Sequence, residues 1–461
     1  MIKRYIKSLF SFLVIVLFVL GIFTISSAAT SQGEAEEFGS PELEIKISRF
    51  GLTLKWDDVP DAASYRIWKT ESGKTNLICE TKAHMWLDTE VTSGRSLRYA
   101  VTSVDKNGNE SDPIWQYARF LSKPDLQATE VLAGFRLEWT AVDGAAEYEV
   151  FRKNSNGTTE HLTTTSITSY TDATASPIED YVYSVTAVRG NYRSTAASCV
   201  PIKLEEVPEE LGGVPEGFEV SVFGQSGAGR DLLVYKWGNG ENVLLMTFAL
   251  HGWEDSFPRD GRAHVYTAYR LMNSVPDWDA ENWTIYIVPL ANPDGLLDGS
   301  GNYGPGRCTT MMYDSNGNLV EGGVDINRSF PSYWYRHYSG RNNTGSAPLS
   351  CPEAEALCKL MEDCKGEGKN VYIDVHGWTN QIIPASWGWY EYWAFASRFP
   401  SCSTVYGGTA SGYAAAHAAY LGYSSGLFEF PEWHYRLTTF VQSNLPDKFA
   451  RSVQDIVEYY N

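Results

Sequence analysis

The chain is short of positive charge. It carries 37 Lys and Arg against 56 Asp and Glu, a formal net charge of −19. That balance excludes nucleic acid as a partner, because phosphate contacts need Lys and Arg. Cysteine is also scarce. Seven occur, at positions 79, 199, 308, 351, 358, 364 and 402, and none form a C-x-x-C pair. An odd count so spread excludes a disulfide-built scaffold and a thiolate zinc site, although one or two bridges within 308–402 stay open. Beyond the first thirty residues there is no apolar run long enough to span a bilayer.

What is present is foldable. The composition is 43% hydrophobic and 20% charged. A chain of 461 residues predicts two to four domains at roughly 100–200 residues each. The 28 Tyr and 15 Trp predict either aromatic binding surfaces or aromatic-rich sheet cores. At the start, Lys3, Arg4 and Lys7 precede an apolar run from Leu9 to Ile25, then Ser26, Ser27, Ala28 and Ala29. This is the build of an export signal over residues 1–29, cleaved after Ala28 or Ala29, with an uncleaved membrane anchor as the alternative. Residues 30–41 read as a flexible leader.

Residues 43–121 and 125–203 read as copies of one another. "LTLKWDDVPDAASYRIWK", "LDTEV" and "RYAVTSVDKNGNES" in the first answer to "FRLEWTAVDGAAEYEVFR", "YTDAT" and "YVYSVTAVRGNYRS" in the second. Trp56 and Trp139 occupy matching places, as do Tyr65 and Tyr148. Period-two alternation with frequent turn residues predicts an all-β sandwich in each. Both segments resemble fibronectin type III domains, which implies a spacer or binding role and no chemistry. Residues 204–216, "LEEVPEELGGVPE", have a linker composition. From 217 to 461 the texture changes. "VLLMTFAL" (243–250), "WTIYIVPL" (283–290) and "VYIDVHG" (371–377) read as strands buried on both faces, with helical patterns between them. That order predicts a largely parallel sheet covered by helices.

His251 and Glu254 form H-G-W-E at the carboxyl end of the first of these strands, and His376 ends another. Ligands of open α/β sheets collect at such ends. Two imidazoles and one carboxylate leave zinc a fourth position for water, which is the catalytic arrangement. Bound zinc lowers the pKa of its water from 15.7 to about 7. On these three residues alone, a polar loop His and a surface Glu remain the competing reading.

The neighbouring motifs are "GAGR" (227–230), "NPDG" (292–295), "GVDINRSF" (323–330), "DVHGW" (374–378) and "LFEFP" (427–431). In this order the chain, over roughly 217–440, resembles the zinc carboxypeptidases of the carboxypeptidase A type. The resemblance implies a mixed sheet of about eight strands flanked by helices. It implies one zinc per chain held by His251, Glu254 and His376, with Glu429 as general base. It further implies Arg307 at the oxyanion, Asn327 and Arg328 on the substrate's terminal carboxylate, and Asp325 orienting a zinc-bound imidazole. Arg suits a carboxylate because its planar fork pairs both oxygens at once. For the tyrosine that closes over substrate, "VYGGTASGY" offers Tyr406 and Tyr413, of which Tyr406 is preferred. Ala414 falls near the expected selectivity position. His264, His337, His417 and His434 lack partner motifs and read as structural.

The expected molecule is an extracellular bacterial zinc metallocarboxypeptidase acting on peptides with a free C-terminal carboxylate. Stem peptides of the cell wall are one form of that substrate. The fibronectin-like segments would bind wall or extracellular polysaccharide or protein. Two rivals stand beside this reading: a zinc deacylase of N-acyl amino acids related to aspartoacylase, which shares H-G-x-E and D-x-N-R, and a non-catalytic peptide- or glycan-binding protein on the same scaffold.

Overall fold

The repeats fold as two-layered β structures. In the first, Leu43–Ser48, Gly51–Trp56 and Met85–Asp88 form one sheet, and Ser64–Glu71, Lys74–Thr81, Ser96–Val104 and Gln116–Arg119 form the other. In the second, Leu126–Val131, Gly134–Trp139 and Ser169–Asp172 face a five-stranded sheet built on Glu147–Asn154 and Tyr181–Arg189. These are the paired antiparallel sheets that the fibronectin type III resemblance implies. The computed structural model describes residues 38–461 except 177–178, 204–209, 310–311, 314–318, 322, 338, 340, 386–390, 406–411 and 432–435. The export segment and Tyr406 therefore lie outside the described residues.

The repeat extends to individual hydrogen bonds. Trp56 and Trp139 are buried in their cores beside Tyr65 and Tyr148. The Tyr65 hydroxyl accepts from the Val59 N–H at 2.9 Å, and the Tyr148 hydroxyl from the Val142 N–H at 2.8 Å. Each sandwich also buries an aspartate between a tyrosine and a cation. Asp88 takes the Tyr99 hydroxyl at 2.6 Å and lies 2.8 Å from Lys69 Nζ. Asp172 takes the Tyr183 hydroxyl at 2.8 Å and Arg152 Nη1 at 2.7 Å.

The described part of the linker is bound down. The Leu132 and Ala133 N–H groups donate to the carbonyls of Glu210 and Leu211, and the Gly213 N–H donates to Thr171 Oγ1. All seven cysteines are free thiols, so the bridges left open within 308–402 do not form.

The C-terminal unit is an eight-stranded sheet. Its order is Phe218–Gln225, Asp231–Trp237, Trp283–Val288, Asn242–Phe248, Asn370–Gly377, Ser424–Phe430, Gln381–Pro384 and Ser403–Thr404. The four central strands run parallel and antiparallel pairs flank them, so the sheet is mixed. Among the described residues seven α-helices accompany it: α1 (Gly261–Met272), α2 (Pro293–Leu297), α3 (Pro352–Asp363), α4 (Tyr392–Arg398), α5 (Ala414–Tyr420), α6 (Leu437–Val441) and α7 (Leu445–Tyr459). α1, α4, α6 and α7 cover one face, and α3 and α5 the other. Every residue of Asn242–Phe248 is buried, which explains its unbroken apolar run.

Asp172→Ala should leave Arg152 as a buried charge without its main counter-ion. Such losses cost about 3–5 kcal/mol. Denaturant unfolding should show a destabilisation of that size, and a change below about 1 kcal/mol would mean the cluster is not a stabilising element.

Candidate metal centre

The parallel strands end together at one rim, and the site is built there. His376 closes Asn370–Gly377, and in register beside it stands Glu429 on Ser424–Phe430, followed by Gln381 on the next strand. His251 follows Asn242–Phe248 after a short turn. Gly252 in H-G-W-E is required by close packing, since a Cβ there would collide with the backbone of Leu296 in α2. The NPDG motif supports the same turn. Asn292 caps α2 by accepting from the Gly295 N–H at 2.8 Å, and its amide donates to the carbonyls of Leu250 at 3.2 Å and Arg307 at 3.3 Å. One asparagine thus ties the strand end before His251 to the segment carrying Arg307.

His251, Glu254 and His376 converge. Glu254 Oε1 lies 2.7 Å from His251 Nδ1 and 2.9 Å from His376 Nδ1. One donor atom from each residue falls within 4.8 Å of the others, and all three are buried. Among the described residues this is the one His, Cys, Asp and Glu group that could hold a metal. The outward-facing nitrogens are already committed. His251 Nε2 lies 3.0 Å from Asp325 Oδ1, and His376 Nε2 lies 3.0 Å from both Asp374 Oδ2 and Asn327 Nδ2. A carboxylate behind a ligating imidazole orients its ring and raises its basicity. Burial alone would raise the pKa of Glu254, but the two imidazoles overcome this and hold it well below the carboxylate range. Two imidazole nitrogens and a carboxylate oxygen at this spacing fit zinc.

Asp374 was not singled out from the sequence. Its signal is its position two residues before His376, which puts both on one face of a strand. Thr379 was missed as well. Its N–H and hydroxyl hold Glu429 Oε2 at 3.1 and 2.7 Å. Glu429 lines the same 70 Å³ cavity as the three candidate ligands, and burial together with the Glu254 charge raises its pKa.

Arg307, Asn327 and Arg328 also line the cavity. Asp325 Oδ2 faces Arg307 Nε at 3.7 Å, beyond hydrogen-bond reach. Asn327 is engaged at both ends of its amide, donating to Asp374 Oδ2 at 3.2 Å and accepting from the Ala414 N–H at 2.8 Å. Arg328 stacks 4.2 Å over the Tyr413 ring, and no carboxylate pairs with it among the described residues. Tyr413 lines the site, and Tyr406, which the sequence favoured, lies outside the described residues. Ala414 does not line it. Its N–H is drawn to Asn327 at the start of α5, and its side chain is fully buried against the sheet. Ile383 and Leu427, opposite one another on adjacent strands, line it instead. His417, which the sequence left without a partner motif, lies between Ser332 Oγ and Cys358 Sγ. His434 lies outside the described residues.

A profile described as zinc carboxypeptidase matches residues 204–436, and the chain belongs to that family. Among curated proteins, it is 40% identical over 164 residues to bacteriocin BCN5 from Clostridium perfringens, covering 35% of this chain and 17% of the relative. It is 27% identical over 189 residues to a metallocarboxypeptidase A-like protein from Trichophyton verrucosum, covering 37% of this chain and 42% of the relative. The chain thus spans less than half the length of either. Among solved structures, carboxypeptidase A from Helicoverpa armigera is similar at 18% identity with a TM-score of 0.42, covering 52% of this chain and 68% of that one.

Asp374→Ala should weaken zinc binding about 10–100-fold, as loss of a carboxylate behind a ligating imidazole does. Competition with a chromogenic chelator measures it, and an unchanged affinity would remove Asp374 from the site's supports.

Proposed function

We propose that the chain is an exported zinc metallocarboxypeptidase that hydrolyses the peptide bond next to a free C-terminal carboxylate. The observation that carries this is the convergence, in one cavity, of a three-residue candidate zinc set, a half-buried carboxylate and two arginines, Arg307 and Arg328. His251, Glu254 and His376 would hold one zinc ion through Nδ1, a carboxylate oxygen and Nδ1. When bound, zinc supplies Lewis acidity and brings the pKa of water to about 7.

The chain's own groups do the remaining work. Thr379 pins Oε2 of Glu429, so Oε1 is the oxygen that takes a proton from water and later delivers it to the leaving nitrogen. Its raised pKa suits both halves of that exchange. Arg307 donates to the oxyanion as charge develops there. Arg328 receives the terminal carboxylate, with Asn327 beside it and Tyr413 stacked against the guanidinium. Asp325 serves His251 as its orienting acid.

The organisation that goes with this function is an export signal at 1–29, sandwiches at 43–121 and 125–203, a linker at 204–216 and a peptidase domain at 217–461. The signal-like start and the match to a bacteriocin support export to the outside of a bacterial cell. No helix among the described residues is long and apolar enough to cross a membrane. Stem peptides of the cell wall, which end in free carboxylates, are the substrate form most consistent with that location.

Mass spectrometry of a mixed peptide library and of purified muropeptides tests the proposal. Loss of single C-terminal residues is expected, abolished by a zinc chelator. Glu429→Gln should lower kcat about 10²–10⁴-fold while zinc content stays unchanged. Release of acetate or succinate from N-acyl amino acids without peptide cleavage would replace the reading with a deacylase. Trimmed peptides beside untouched muropeptides would reject the cell-wall form alone.

A further inference from the structure

α1 is preceded by Asp260 at its N-cap. An aspartate there normally holds the N–H groups of the first helical turn. This one makes no such cap. Its fully buried carboxylate is turned out of the helix. Oδ1 accepts from the Glu254 N–H, and Oδ2 accepts from the Ser256 N–H at 3.0 Å and the Trp378 indole N–H at 2.8 Å. One side chain thus joins the loop of candidate ligand Glu254 to the residue two beyond candidate ligand His376. Gly377 lies between, with its N–H donating to Glu254 Oε2 at 2.7 Å.

Two residues further on, Arg262 leaves the same helical turn in another direction. Its buried guanidinium reaches the Leu132 carbonyl at 3.3 Å, Glu130 Oε1 at 3.3 Å and the Val131 carbonyl at 3.5 Å. Glu130 and Val131 end the strand Leu126–Val131, and Leu132 opens the turn joining it to Gly134–Trp139 in the second sandwich. Val131, Leu132 and Ala133 are completely buried and share one hydrophobic core with Ala263, Tyr266 and Tyr269 of α1. The linker clamps the same turn through its Glu210 and Leu211 carbonyls.

We propose that Asp260 is a positioning residue for the ligand Glu254, and that the second sandwich is the abutment holding the first turn of α1, and with it Asp260, in place. The inference rests on the ligand assignment proposed above. A metal site requires its ligands within about 0.5 Å of the productive geometry, set by supports that cannot shift. A sandwich that merely spaced the peptidase from its target would need neither a buried arginine nor a shared core. On this reading it is part of the scaffold of the metal site.

The test uses the full chain, with zinc affinity measured by chelator competition and the unfolding midpoint of the metal-free protein measured by circular dichroism. Asp260→Ala should raise the zinc Kd about 10–100-fold. Asp260→Asn, which sets an amide N–H₂ against the same donors, should raise it in the same direction and serves if the alanine variant does not fold. Arg262→Ala should raise it about 3–10-fold. That second effect should vanish in the Asp260→Ala background, because it acts through Asp260. A lowered unfolding midpoint with unchanged Kd in Arg262→Ala, or additive effects in the double variant, would reduce the sandwich to a packing partner. Unchanged Kd in both Asp260 variants would end the proposal. His376→Ala is the control for the ligand assignment. Tight zinc binding that survives it would place the fault in that assignment, and the inference would fall with it.

Discussion

A single carboxylate oxygen, Glu254 Oε1, lies within 3 Å of two imidazole nitrogens, and the surrounding structure is arranged to keep it there. Three ionisable groups so close and so buried are costly unless each is held and compensated. Every remaining side-chain polar atom of the three residues has a neighbour that holds it. Asp325 and Asp374 take the far nitrogens of the imidazoles, the Gly377 N–H takes the second oxygen of Glu254, and Asp260 takes its N–H. Asp325 and Asp374 are themselves completely buried, so the imidazoles cannot swing without stranding a charge.

The sheet makes that arrangement possible. Parallel central strands bring their carboxyl ends to one rim, and the register sets His376, Glu429 and Gln381 side by side. One step down the same face, Asp374, Leu427 and Ile383 form the next row. The row nearer the rim carries the metal and base chemistry. The row beneath carries a support, Asp374, and the apolar wall of the cavity. Period-two alternation alone separates these two duties.

The sandwiches repeat one solution to burying a charge. Asp88 with Tyr99 and Lys69, and Asp172 with Tyr183 and Arg152, occupy equivalent places in the two copies. The second copy meets the peptidase unit, where the tip at Val131, Leu132 and Ala133 enters the core beside α1. Its contribution to that core is apolar, while the charge of the approaching Arg262 is met by Glu130 and by backbone carbonyls.

The sequence alone pointed to the repeated sandwiches and to a largely parallel buried sheet, through local signals: period-two alternation and strands with no polar face. The mixed sheet and the three candidate ligands came from the ordered motifs and the family they resemble. His251 with Glu254 could be read at three residues' spacing, and the buried aspartates of the sandwiches already stand in "LDTEV" and "YTDAT". Tertiary structure decided the rest, because it depends on which distant segments touch. Nothing local shows that Tyr413 lines the site, beside a helix start whose Ala414 N–H is held by Asn327, 87 positions away. Ala414 itself does not line it. Nor does composition reveal that Asp260 would abandon its own helix to hold Glu254, or that Arg262 would dock on a turn 130 residues earlier. Such contacts are set by how closed layers pack, and a linear pattern carries no record of that packing.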